Sequence, residues 1–107
     1  MRSGEFAVVL TTVPIDFDVA ALATTLVEER LAACVNVLSP MQSIYRWKDA
    51  IETGQERQLV IKTTTARLPT LQQRLKELHP YEVLELLVLS VADGSDAYLA
   101  WLRESCR

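Results

Sequence analysis

Apolar residues change their spacing along this chain in a way that marks out its elements. Residues 6–13 are a short run rich in β-branched side chains and closed by Pro14, the pattern of a buried central strand. Asp16 and Asp18 then supply an N-cap and first-turn acids. After them Val19, Leu22, Ala23, Leu26 and Val27 recur at three and four, giving one apolar stripe of a helix. Arg30 is expected in its last turn, where the helix dipole favours a cation, and Glu28 and Glu29 on its solvated face. Residues 34–47 read as extended, with Ser39 and Pro40 in the middle; proline cannot donate to a ladder, so this is an edge strand. Lys48, Asp49 and Ala50 form a turn, and residues 51–65 return as the second arm of a hairpin, most strand-like over 59–64.

Thr65 caps a second helix with Pro69 in its first turn. Its Leu68, Leu71, Leu75 and Leu78 face inward until Pro80 stops it. Residues 83–91 give a fourth strand. Asp93 and Gly94 turn the chain, Ser95 or Asp96 caps, and Tyr98, Leu99, Leu102 and Cys106 supply the apolar side of a short C-terminal helix. The order βαββαβ followed by α predicts an α+β fold, the split βαβ or ferredoxin-like arrangement. It has an antiparallel sheet with two helices on one face, plus a short C-terminal helix and a long β-hairpin.

One copy cannot cover that hairpin. Arms of about 14 residues span roughly 46 Å, whereas a helix of about 16 residues covers only roughly 24 Å. The overhang carries Ile44, Tyr45, Trp47 and Ile51, a continuous apolar patch that another copy of the chain is expected to bury. The alternative is a hairpin bent at Pro40 that packs these side chains into its own domain.

Composition narrows the partners. With 107 residues the chain is a single domain, and 50% hydrophobic with 23% charged residues is a folding composition. A net charge of −3, from 11 basic and 14 acidic side chains, gives no general attraction to phosphate backbones or anionic lipid, so neither nucleic acid nor membrane is an expected partner. No run is long enough to cross a bilayer or to act as a secretory leader. Cys34 and Cys106 are far apart and lack metal-clip spacing, which suits a reducing, cytoplasmic location. Ser3, Gly4, Glu5 and Phe6 are typical of a vector scar, so the domain is placed at residues 7–107 and residues 1–6 outside it.

Strong enzyme signatures are missing: there is no phosphate loop, nucleophile elbow or HExxH, and the stretch RQLVIKTT (57–64) lacks the aromatics of an RNA-stacking strand. The chemistry that remains is His79-Pro80-Tyr81-Glu82 with Glu85. One imidazole and two carboxylates at a helix-to-strand junction suit a borderline divalent metal such as Cu²⁺. Equally, His79 is placed to end the helix, with the glutamates merely solvated. Cys34 reads as a small core residue and Lys62 as a solvent-facing strand residue.

Taken together, ERLAACVNVL (29–38), SIYRWKDAIE (43–52), VIKTTT (60–65), HPYEVLEL (79–86) and YLAWL (98–102) resemble the CutA family, named for divalent-cation tolerance. The resemblance runs from about Ala7 to Ser105. It implies a tight homotrimer, similar to PII-type signalling proteins, whose hairpins wrap neighbouring subunits with clefts between them. Carried over residue by residue, that cleft is lined by Tyr45, Trp47, Lys62, His79, Tyr81 and Glu85, with His79 and Glu85 as the metal pair. Two departures matter. Thr11 stands where some bacterial members have a cysteine linked to copper, and Leu84 replaces the second proline of HPYEVPE. The expectation is therefore a non-enzymatic trimeric binding protein with no obligatory cofactor, holding weak Cu²⁺ or a small ligand between subunits. A ligand-free trimeric scaffold that anchors another protein is the alternative.

Overall fold

The computed structural model describes residues 4–107. The chain runs through β1 (Phe6–Pro14), α1 (Val19–Glu28), β2 (Cys34–Val37), β3 (Met41–Trp47) and β4 (Ala50–Thr64). A 3₁₀ turn (Thr65–Arg67) leads into α2 (Leu68–Leu78), followed by β5 (Leu87–Ser90) and α3 (Asp96–Ser105). All strand pairs are antiparallel in the order β2-β4-β1-β5, with β3 continuing along β4 beyond β2. This is the expected ferredoxin-like sheet, with the edge strand broken into two at Leu38, Ser39 and Pro40.

The core lies on one face of the sheet. Val9, Val13, Leu59 and Ile61 pack there against Leu22 and Leu26 of α1 and Leu71 and Leu75 of α2. A smaller cluster joins Phe6 and Ala33 to Leu99, Leu102 and Cys106, fixing α3. Strand alternation turns Val8, Leu10, Val60, Lys62, Leu87 and Leu89 to the other face, because these residues are directly paired across β4, β1 and β5. Leu87 and Leu89 stay about half exposed, at 55% and 49%.

The hairpin is turned by Lys48 and Asp49, both left-handed at φ 49° and 64°, between the paired Trp47 and Ala50. That is a two-residue type I′ loop, whose twist matches the strands it joins. Beyond the core the arms carry Ile44 and Ile51 at 67% and 64% exposure, so in a single chain the overhang does not fold back. The molecule is accordingly elongated, 44 Å by 26 Å by 24 Å.

Several local expectations change. Asp18, not Asp16, is the N-cap of α1, accepting from the Ala21 N–H at 3.2 Å. Arg30 is not in the last turn but one residue past the Glu29 C-cap, at φ 60°. There the Leu31 N–H reaches the Leu26 carbonyl and the Arg30 N–H the Val27 carbonyl, a Schellman closure. Val27, placed on the buried stripe, is half exposed. Glu29 is not merely solvated: both its oxygens meet Arg74 of α2 at 2.9 Å.

Thr65 caps nothing through its side chain; its hydroxyl donates to the Gly4 and Glu5 carbonyls. Glu5 also pairs with Arg103, and Phe6 is fully buried in β1, so residues 4–6 belong to the folded unit. Met1 to Ser3 lie outside the described residues. The fourth strand begins only at Leu87. Residues 81–86 cross the end of the sheet as irregular chain, anchored by Leu84 and Leu86 against the core.

Candidate functional site

That irregular crossing faces the near face of the hairpin. Met41, Ser43, Tyr45 and Trp47 alternate along β3 and so share one side, while Pro80, Tyr81, Glu82, Val83 and Glu85 form the opposing wall, with Thr12 and Glu56 between them. Together they enclose a groove of about 650 Å³. Gly54 sits beneath the Tyr45 ring: a Cβ built there would lie 3.7 Å from the phenol oxygen, so the ring rests almost on backbone.

His79 holds the second wall in place. It caps α2 through its N–H to the Leu75 carbonyl at 2.8 Å. Its ring is nearly buried, with Nε2 2.6 Å from the Thr12 carbonyl and Nδ1 3.0 Å from the Tyr81 nitrogen. A backbone N–H can only donate, so Nδ1 accepts and Nε2 carries the proton that it donates to Thr12. Burial holds the imidazole below its usual pKa, against the opposing pull of the Thr12 carbonyl and the Glu56 charge. The Tyr81 ring stands 5.1 Å from that of His79 and reaches into the groove, where its hydroxyl donates to Glu56 Oε2 at 2.9 Å. Burial first, and Glu56 second, push this phenol up to about 12.

A second clamp comes from β4. The Gln58 amide donates to the Thr11 carbonyl at 2.7 Å and to Glu85 Oε2 at 2.9 Å, tying the crossing segment to the sheet. Two of the acidic groups facing the groove, Glu56 and Glu85, are therefore held by neutral donors, a phenol and an amide, which fix their direction without cancelling their charge.

The structure thus brings Tyr45, Trp47, Tyr81 and Glu85 to one groove within a single chain. It does not bring Lys62 to them within one chain. Lys62 is six residues beyond Glu56 on β4, roughly 20 Å along the strand, and its ammonium lies 5.9 Å from the Tyr98 ring centroid. Nor does it present His79 and Glu85 as a ligand pair. Both His79 nitrogens are engaged, leaving no lone pair for a metal, and Glu85 is committed to Gln58. Among the described residues no three His, Cys, Asp or Glu side chains are gathered closely enough to hold an ion. The residues present do not fit a metal centred on His79.

Sequence reasoning missed Glu56 and Gln58. Their i, i+2 spacing on β4 places them on one face, but only the path of residues 81–86 shows what that face meets.

Comparison with known proteins gives a consistent result. The profile described as CutA1 divalent ion tolerance protein matches residues 7–105. A divalent-cation tolerance protein CutA from Thermus thermophilus is 50% identical over 98 residues, covering 92% of this chain and 95% of its own. The crystal structure of CutA1 from Oryza sativa superposes with a TM-score of 0.92 at 36% identity, covering 100% of this chain and 98% of the other. A structure from Archaeoglobus fulgidus, described as a periplasmic divalent cation tolerance protein CutA, gives 0.90 at 25% identity, covering 95% and 99%.

Proposed function

The chain belongs to the CutA1 divalent ion tolerance family, and on that premise we propose that it is a homotrimeric binding protein which holds a small ligand in the groove between hairpin and crossing segment. What carries this reading is the preformed groove, whose far wall is locked by His79 and Gln58 before any ligand arrives.

Self-association is supported by two apolar surfaces that a single chain leaves open. One is the face of the hairpin overhang with Ile44 and Ile51; the other is the sheet face with Leu87 and Leu89. The count of three is what the family resemblance implies. In such a trimer a neighbour lies against the hairpin and rims the groove, so ligand binding and assembly are linked.

We read the groove as a binding site rather than a catalytic one. Its only imidazole is used up in structure, so neither Ser43 nor Thr12 has a histidine to activate it. Divalent-metal association, on this reading, is weak and independent of His79, and the contribution to metal tolerance runs through the groove's ligand. The free thiols of Cys34 and Cys106 favour a reducing compartment, and we place the protein in the cytoplasm.

The test uses Trp47 as a reporter. In a Trp101→Phe background it is the sole tryptophan, and a mixed panel of small cations, anions and neutral molecules is titrated while emission and melting temperature are followed. At least one compound should shift both. A panel that moves neither contradicts the reading.

A further inference from the structure

We propose that the groove selects an organic cation with an apolar body, an alkyl- or arylammonium, over neutral or anionic molecules of the same shape. The inference rests on the groove being the ligand site, and names the chemistry of what enters it.

Three aromatic side chains line the groove, Tyr45 and Trp47 on the hairpin and Tyr81 on the crossing segment. Aromatic faces carry negative quadrupoles, and a cavity walled by several of them attracts an ammonium while sheltering its hydrocarbon part. The charges on the same walls have one sign: Glu56, Glu82 and Glu85 line the groove, and no lysine or arginine does. Glu56 and Glu85 are aimed by Tyr81 and Gln58, which are neutral and leave the negative field in place.

The cation that the family resemblance would have set here, Lys62, is at the far end of β4 in its own chain. Even a neighbour's Lys62 brought in by assembly would leave negative charge in excess against three carboxylates. An anionic ligand would meet that field unshielded. A bare divalent ion would find neither a free imidazole nor a gathered ligand set, as shown above. The remaining chemistry that answers both wall types at once is an organic cation. A volume of about 650 Å³ also exceeds what a hydrated ion needs and suits a molecule of drug-like or smaller size.

One skeleton in three charge states tests this: 2-phenylethylammonium, 2-phenylethanol and phenylacetate, titrated by calorimetry into the assembled protein at about pH 7.5, where the first is a cation and the last an anion. The ammonium should bind about tenfold tighter than the alcohol, and phenylacetate weakest of the three. Raising salt should narrow the gap. Glu82→Gln, at an exposed position with little bearing on folding, should lower the ammonium affinity and leave the alcohol unchanged. Glu85→Gln should do the same in protein whose circular dichroism and sedimentation match the unaltered chain. Equal binding of ammonium and alcohol, or preference for phenylacetate, overturns the cation inference while keeping the groove as the site. No binding of any of the three overturns both.

Discussion

His79 shows how one residue can look like chemistry and serve structure. Its ring joins β1 to the crossing segment through two hydrogen bonds, so His79→Ala should cost about 2 kcal/mol, read from denaturant unfolding at fixed protein concentration. Copper titrated into the same variant should bind as it does to the unaltered chain; a clear loss of affinity would return the imidazole to a metal site. The pH dependence follows from the lowered pKa. The unfolded chain takes up a proton near 6.5 while the native ring resists, so this contribution to stability is complete above that pH. It falls as pH drops through 6.5 and levels off below the native pKa, and the slope should vanish in His79→Ala. Thr11 offers the opposite case. Its hydroxyl is fully buried and finds no partner among the described residues, so Thr11→Val, which keeps the shape, should raise stability by about 1 kcal/mol. A loss of that size instead would mean the hydroxyl is satisfied by water.

Among the elements, the end of α1 is held in a conformation that suits glycine better than the arginine present. Arg30 stands at φ 60° in a Schellman closure, and its guanidinium reaches the Glu104 and Ser105 carbonyls only at 3.5 Å. Arg30→Gly should therefore raise the melting temperature, by an amount corresponding to about 1 kcal/mol. A drop would show that the contact with α3 outweighs the backbone strain. This closure was not legible in the sequence, because an arginine near a helix end signals a favourable dipole as readily as a strained residue after it. The element order and the two helix stripes were legible, since burial of Leu22, Leu26, Leu71 and Leu75 imposes a 3.6-residue period. The edge strand was legible from Pro40. Residues 81–86 were not: their alternation resembles a strand, but with Leu84 and Leu86 packed on the core the chain crosses the sheet end without pairing. The groove's acid wall was half legible for the same reason. Glu85 came from a local motif and the family resemblance, whereas Glu56 and Gln58 required the tertiary path.

At the scale of the whole molecule, the 12.0 kDa chain leaves large apolar side chains exposed outside its core, which supports the proposed self-association. Ile44 and Ile51 lie across the hairpin from one another's neighbours and remain about two-thirds exposed, and Leu87 and Leu89 add a second patch on the open sheet face. In the proposed assembly, further copies of the chain around a closed symmetry cover both surfaces and protect the outer edges of β3 and β5 from open-ended pairing. Trp47, half exposed at the hairpin tip, is where the overhang meets the groove. A charge there, as in Trp47→Arg, should weaken assembly by several kcal/mol if a neighbour buries it. The most direct measurement is sedimentation velocity of the unaltered chain and of Trp47→Arg across micromolar concentrations. The account predicts one species of three times 12.0 kDa for the former and dissociation to smaller species for the latter. A stable 12.0 kDa monomer of the unaltered chain at those concentrations would contradict it.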